Sequence, residues 1–320
     1  MLTVPASGDR LTSEQEDLSQ YRGSHVLVTG ATGFIGVHLV RRLSALGARV
    51  HAVSRTPRQD TDGPETWHVA DVGDAEAVEK LVASLRPAVV FHLASEVAGT
   101  RAPRLVRTML DSNLASVVNL LTAVAEESRE TRVVLAGSLE ELRPDEGERA
   151  PSSPYAVAKW AANGYARMFH QLWDVHATTL RVGMVYGPGD MNLKRLVPYV
   201  TLSLLRGEEP EIGSGTRLID WIHVDDVVAA FLAAGRSPGA AGLSLDVGTG
   251  TRTSIRETVE LIVRVADSPL RPRYGAIADR PLDSARIADI APTGEALGWR
   301  PAIELEEGLR QTVGWYAEHL

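Results

Sequence analysis

Two side chains in this 320-residue sequence stand at a spacing that can move a proton. The stretch Ser152-Ser153-Pro154-Tyr155-Ala156-Val157-Ala158-Lys159 reads as a helix start, with Ser153 suited to the N-cap and Pro154 to the first helical position. Tyr155 and Lys159 then share one helix face. An ammonium beside a phenol stabilises the phenolate and lowers its pKa from about 10 toward working pH. The result is a proton donor or acceptor for a carbonyl or a carbinol. Tyr-x-x-x-Lys alone arises by chance on many helices. A second constellation stands upstream, in Val26-Leu27-Val28-Thr29-Gly30-Ala31-Thr32-Gly33-Phe34-Ile35-Gly36. Here Gly30 permits a tight turn, Gly33 lets backbone approach a pyrophosphate, and Gly36 lets a helix pack closely on a strand. The free N–H groups of that helix would face the phosphates, although glycine-rich turns also serve as plain punctuation.

The elements that must position these residues follow one rhythm. Short β-rich runs at 25–29, 49–54, 66–70, 88–93, 132–136 and 177–182 alternate with helical patterns at 34–47, 74–86, 103–128 and 154–173. That alternation predicts an α/β fold, a Rossmann-like doubly wound parallel sheet that binds ligands outside the carboxyl ends of its strands. Residues 1–22 read as an N-terminal extension, in which Thr12-Ser13-Glu14-Gln15 could cap a short helix. Residues 23–182 read as the dinucleotide-binding domain. After ~183 the rhythm weakens, and 183–320 read mainly as a smaller C-terminal α/β substrate lobe, with a segment near 221–250 returning to the first domain.

Composition narrows the class. The net charge of −8 argues against a general nucleic-acid binder and offers no polybasic patch to a membrane. Cysteine is absent, which excludes thiolate catalysis and cysteine-ligated metals. Met1 to Gly8 shows no signal-peptide pattern, and no run of ~18 apolar residues is seen, so a cytoplasmic location is expected. The end of the second strand reads Val53-Ser54-Arg55, with no acid before Asp60. Ser54 and Arg55 suit a ribose 2′-phosphate, so NADP(H) is preferred and NAD(H) remains possible. Asp71, after the next strand, suits either an adenine amino group or an ordinary turn.

Taken in order, these motifs resemble the extended short-chain dehydrogenases/reductases, in the nucleotide-sugar epimerase, dehydratase and 4-ketoreductase group. The likeness runs from ~24 to ~318. It adds Phe91-His92-Leu93-Ala94, Asn113, Arg181-x-x-x-Val185-Tyr186-Gly187-Pro188-Gly189, Trp221-Ile222-His223-Val224-Asp225-Asp226-Val227, Arg280-Pro281-Leu282-Asp283 and Leu297-Gly298-Trp299-Arg300-Pro301. The resemblance implies a cofactor cradle of Gly30, Thr32, Gly33, Phe34, Ile35, Gly36, Ser54, Arg55, Asp71, Val72, Leu93, Ala94, Ser95 and Asn113, together with Tyr155 and Lys159. It makes Ser138 the hydroxyl on the reacting oxygen, Tyr155 the acid/base, and Lys159 also the holder of the nicotinamide ribose. For Asn113 a structural role is the better reading.

Departures from the family pattern narrow the activity. Leu139 stands where dehydratases resembling this chain carry an aspartic acid, and leucine cannot protonate a leaving hydroxyl. Glu140 is a candidate second acid/base or a surface glutamate. Met184 and Ile219 replace an Asn and an Arg that commonly meet the diphosphate. Arg217, Arg280, Lys194 and Arg195 are left to supply charge. Asp225 and Asp226 read as the acidic first turn of a helix and His223 as a packed histidine, so no metal is expected. The expectation is an NADPH-dependent reductase of a nucleotide-activated 4-keto (6-deoxy) sugar. The alternatives are a 4-epimerase with bound NAD or a reductase of a non-sugar ketone. A homodimer through helices 103–128 and 154–173 is implied, unless Ala158, Ala162 and Ala166 simply pack within one chain.

Overall fold

The structure, a computed structural model, describes residues 19–58, 63–97, 102–143, 150–279 and 286–319. The first half lays down β1 (His25–Thr29), α1 (Phe34–Ala45), β2 (Arg49–Ser54), β3 (Thr66–Val69), α2 (Ala75–Leu85) and β4 (Val89–His92). It continues with α3 (Val106–Leu110), α4 (Ser116–Glu127), β5 (Arg132–Ser138), α5 (Pro154–Trp173) and β6 (His176–Val182). A π-helical turn, Asp111–Ala115, joins α3 to α4.

The second half holds β7 (Met184–Tyr186), α6 (Leu196–Leu205), β8 (Glu211–Ile212), β9 (Leu218–Ile219), β10 (Trp221–His223) and α7 (Val224–Arg236). It ends with β11 (Ser244–Val247), β12 (Thr253–Ser254), α8 (Ile255–Val265), β13 (Arg273–Tyr274), α9 (Ala291–Leu297) and α10 (Leu305–His319).

Seven parallel strands form the main sheet in the order β11-β6-β5-β4-β1-β2-β3. The connections run outward in both directions from β1 and β4, which makes that pair the switch point where ligands bind. Strands buried on both faces read as unbroken apolar runs, as Val133-Val134-Leu135 does in β5. One face packs Val26 and Val28 with Leu39 and Leu43 of α1 and Phe231 of α7. The other packs Leu27 and Val90 with Val82 of α2, Leu121 of α4 and Phe169 of α5. Leu39 and Leu43, both at 0% exposure, each contribute about 1.5–3 kcal/mol of burial.

A third core joins α6, α8 and α10 with Tyr186 and Trp221, forming the smaller lobe. Strand β11 and helix α7 lie on the main sheet, and so do Leu297 and Trp299 of the α9 region. Tyr21 is also part of the main core, at 1% exposure, with its hydroxyl donating to the Leu232 carbonyl at 2.7 Å. The Thr12–Gln15 cap falls outside the described residues.

One continuous stretch, Pro103–Glu127, is apolar enough to cross a membrane by length and composition, with a mean hydropathy of 1.2 in its best window. This differs from the expectation that no such run exists. Val117, Leu120, Leu121 and Val124 of that stretch are buried against the sheet, so its apolar content is that of a core helix.

Candidate active site

The glycine turn is built as its spacing requires. Gly30 has φ +67°, and a Cβ there would lie 2.5 Å from the Ala94 nitrogen. A Cβ on Gly36 would lie 2.1 Å from the Gly30 carbonyl oxygen, so only glycine lets α1 sit this close to β1. Gly33 is the N-cap of α1 with no side-chain hydrogen bond, and Thr32 and Gly33 are exposed. Phe34 and Ile35 begin the helix half-buried. Uncapped N–H groups at a helix start, with no side chain over them, fit a pyrophosphate.

The rim of the same edge carries the other cradle residues. Arg55 is exposed just past β2, while the buried Ser54 hydroxyl donates to the Thr56 carbonyl. Asp71 is exposed and accepts from the Gly73 N–H at 2.9 Å, and half-buried Val72 offers its carbonyl to Asn119. Leu93, Ala94 and Ser95 follow β4, with the Ala94 N–H donating to the Thr29 hydroxyl at 3.3 Å. Asn113, at 0% exposure on the π-turn, accepts from the Ser95 hydroxyl and the Glu96 N–H, both at 2.8 Å, and donates to the Glu96 carbonyl at 3.0 Å. It clamps this loop onto the π-turn.

Ser138 ends β5, and its hydroxyl lies close enough to the Tyr155 phenol to lower its pKa. The predicted cap holds: the Ser153 hydroxyl accepts from the Ala156 N–H at 3.1 Å and Pro154 begins α5. The Lys159 ammonium lies 5.8 Å from the centre of the Tyr155 ring. It donates to the Ala136 carbonyl at 2.7 Å and is 4% exposed.

The phenol does not shift downward as the spacing predicts. Burial pushes the Tyr155 phenol well above its usual range, and Glu140 and Glu141 add to the rise. The Ser138 hydroxyl and the Arg195 guanidinium pull the other way without reversing it. Lys159, turned onto Ala136, does not bring the phenol toward neutrality. Tyr155 is protonated at neutral pH, as an ordinary tyrosine is, and the upward shift makes it a weaker acid until a partner stabilises the phenolate. Burial also lowers Lys159, to about 8.

Glu140 is half-buried, with its N–H donating to the Ser138 hydroxyl at 3.2 Å, and its charge reaches Tyr155. Leu139 is buried at 3% exposure. On the substrate side Met184 is half-buried at the start of β7, Arg217 is half-buried, and Lys194 is exposed. Arg195, tethered to buried Asp190 at 3.2 Å, is the cation of that pair whose charge reaches Tyr155. Arg280 lies outside the described residues.

Asp225 and Asp226 form the first turn of α7, and Asp226 accepts from the Ala302 and Ile303 N–H groups, both at 3.0 Å. Among the described residues no group of three His, Cys, Asp or Glu side chains could hold a metal ion. A depression of about 500 Å³ lies at the amino ends of the strands, around His25, Arg132 and His176, away from every candidate residue. Ala162 and Ala166 are buried in the main core, whereas Val157 and Trp160 of α5 and Val106 and Leu110 of α3 are exposed. Two residues given no role from the sequence, Glu141 and Asn163, stand behind Ser138 and Lys159.

The chain is similar along most of its length to proteins of known activity. It is 31% identical to a UDP-glucose 4-epimerase of Mycolicibacterium smegmatis, covering 91% of this chain and 97% of that one. It is 30% identical to a dTDP-4-dehydro-6-deoxy-D-allose reductase of Streptomyces, covering 94% and 98%. The solved UDP-glucose 4-epimerase of Thermus thermophilus, a complex with NAD, superposes with a TM-score of 0.80 at 27% identity, covering 92% and 100%. Residues 26–248 match the NAD dependent epimerase/dehydratase family, and the chain belongs to it.

Proposed function

We propose that this protein reduces the carbonyl of a nucleotide-activated 4-keto (6-deoxy) sugar, with NADPH preferred over NADH. The observation that carries the reading is the meeting of Ser138, at the end of β5, with Tyr155 and Lys159, one turn apart on α5 and 5.8 Å from ammonium to ring centre. When bound, the nicotinamide dinucleotide supplies a hydride to the carbonyl carbon. Tyr155 gives its phenolic proton to the carbonyl oxygen, so the ketone becomes an alcohol and the phenol a phenolate. The Ser138 hydroxyl donates to the same oxygen and stabilises the charge that develops there. The buried Lys159 ammonium, turned onto the Ala136 carbonyl, is left to hold the nicotinamide ribose. Exposed Arg55, with no acid beside it, supports the choice of a 2′-phosphate. Leu139, buried and unable to give a proton, argues against dehydration.

A 4-epimerase with bound NAD is the second reading, favoured by the epimerase relative and the NAD complex of the Thermus enzyme. Nucleotide released by denaturing the purified protein separates the two. A reductase releases little, and one NAD per chain would overturn the preference. Binding of free nucleoside diphosphate tests the sugar-nucleotide part, since a non-sugar ketone reductase would show none. A homodimer through α3, α4 and α5 also belongs to the proposal. Its support is the exposed Val157, Trp160, Val106 and Leu110, rather than the buried alanines. Sedimentation of the wild-type chain and of Trp160→Glu tests it.

A further inference from the structure

Behind Ser138, Tyr155 and Lys159 lies a carboxylate that the proposed reaction does not touch. Glu141 is 0% exposed. One of its oxygens accepts from the Ser138 backbone N–H at 2.8 Å and the other from the Asn163 amide at 2.8 Å. Asn163 sits one helical turn beyond Lys159 on α5, and its own oxygen accepts from the Ser244 hydroxyl of β11 at 2.6 Å. One carboxylate thus ties the end of β5 to α5, and through Asn163 to β11. Gly137 leaves room for it, because a Cβ there would lie 2.5 Å from Glu141 Oε1. A buried charge is kept only where it is paired and hydrogen-bonded. The charges near Glu141 are Arg181 on β6 and Lys159 on α5.

We propose that Glu141 is a positioning residue of the active site, fixing Ser138 through its backbone N–H and holding Lys159 as an ammonium from behind. The proposal rests on reading Ser138, Tyr155 and Lys159 as the catalytic group. Both Glu141 oxygens receive hydrogen bonds from N–H donors, the arrangement that suits a carboxylate, although burial raises its pKa. Lys159 is faced by Glu141 from the end of β5, by His92 from the end of β4 and by Tyr155 on its own helix. His92 is held neutral by burial, its pKa lowered to about 3, so it neither shares nor opposes the ammonium charge at neutral pH. Among the described residues Glu141 is the carboxylate whose charge, when ionised, offsets the desolvation of Lys159.

The chain has three lysines, Lys80, Lys159 and Lys194, which makes the test direct. Lysine labelled with ¹³C gives three side-chain signals in the intact protein. Exposed Lys80 and Lys194 serve as references, and Lys159→Arg assigns the third. Glu141→Gln removes the charge at constant size, while turning over the Asn163 amide and rotating the Ser244 hydroxyl preserve the hydrogen bonds. The expected result is a Lys159 midpoint at least about one pH unit lower than in the wild type, with the references unmoved and Glu141→Asp recovering part of the shift. An unchanged Lys159 midpoint in Glu141→Gln overturns the proposal. If that variant does not fold, the wild type decides alone: Lys159 must still be charged at pH 7, and a neutral Lys159 overturns the proposal. The titration needs neither substrate nor turnover. A failure to consume NADPH would therefore refute the reaction and leave this result standing.

Discussion

The three glycines of the first turn do different physical work, and single alanines separate their roles. In Gly36→Ala the new methyl would lie 2.1 Å from the Gly30 carbonyl oxygen and 2.9 Å from the Ala31 Cα, both backbone atoms that cannot swing aside. Helix α1 would have to retreat by about 1 Å, loosening Leu39 and Leu43 against β1, at a cost of about 1–3 kcal/mol. Gly33→Ala meets only the Gly30 oxygen, at 3.2 Å, and its φ of −77° suits any residue. Losing glycine from the N-cap costs about 0.5–1 kcal/mol, and the stiffer unfolded chain returns about 0.4–1 kcal/mol, so folding stability stays nearly constant. That methyl would instead stand over the uncapped helix start, weakening dinucleotide binding at least about tenfold, or 1.4 kcal/mol. Urea unfolding without cofactor and fluorescence titration with NADPH and NADH measure the two effects. Wild-type stability in Gly36→Ala, or wild-type affinity in Gly33→Ala, would refute the assignment of roles.

Other perturbations follow from the same geometry. Arg55→Ala is expected to raise the NADPH dissociation constant about tenfold and leave that for NADH unchanged, read by the same fluorescence titration. Asn113→Ala leaves the Glu96 N–H and carbonyl without their partner and should cost about 2–4 kcal/mol in urea unfolding. His92 is buried neutral, so the folded chain refuses a proton that the unfolded chain accepts near pH 6.5. Stability should therefore fall as pH drops from about 6.5 toward 3, with a slope near 1.4 kcal/mol per unit that His92→Gln flattens in urea melts.

Much of this site was legible because its chemistry is local in sequence. Gly30, Gly33 and Gly36 declare their turn by spacing alone, and Ser153 and Pro154 announce the helix that sets Tyr155 one turn from Lys159. The long strands and helices carry clear apolar periods. Strands β9, β12 and β13, two residues each, carry none and are found only by tertiary pairing. The direction of the Tyr155 shift was missed because burial and the turn of Lys159 onto Ala136 are properties of the packed chain. Glu141 was passed over for a related reason. Its partners Asn163 and Arg181 lie far along the chain, and only the assembled sheet brings them to it.

In the proposed reaction Tyr155 donates a proton while NADPH reduces a nucleotide-linked ketone. The most direct measurement is NADPH consumption, with NADH in parallel, on adding a nucleotide-linked 4-keto-6-deoxyhexose to the wild type and to Tyr155→Phe. Consumption with NADPH preferred is expected, together with a variant that binds NADPH normally but turns over at least about 10²-fold more slowly. Consumption of neither cofactor by the wild type would contradict the reductase reading, and undiminished turnover in Tyr155→Phe would contradict the assignment of the proton donor.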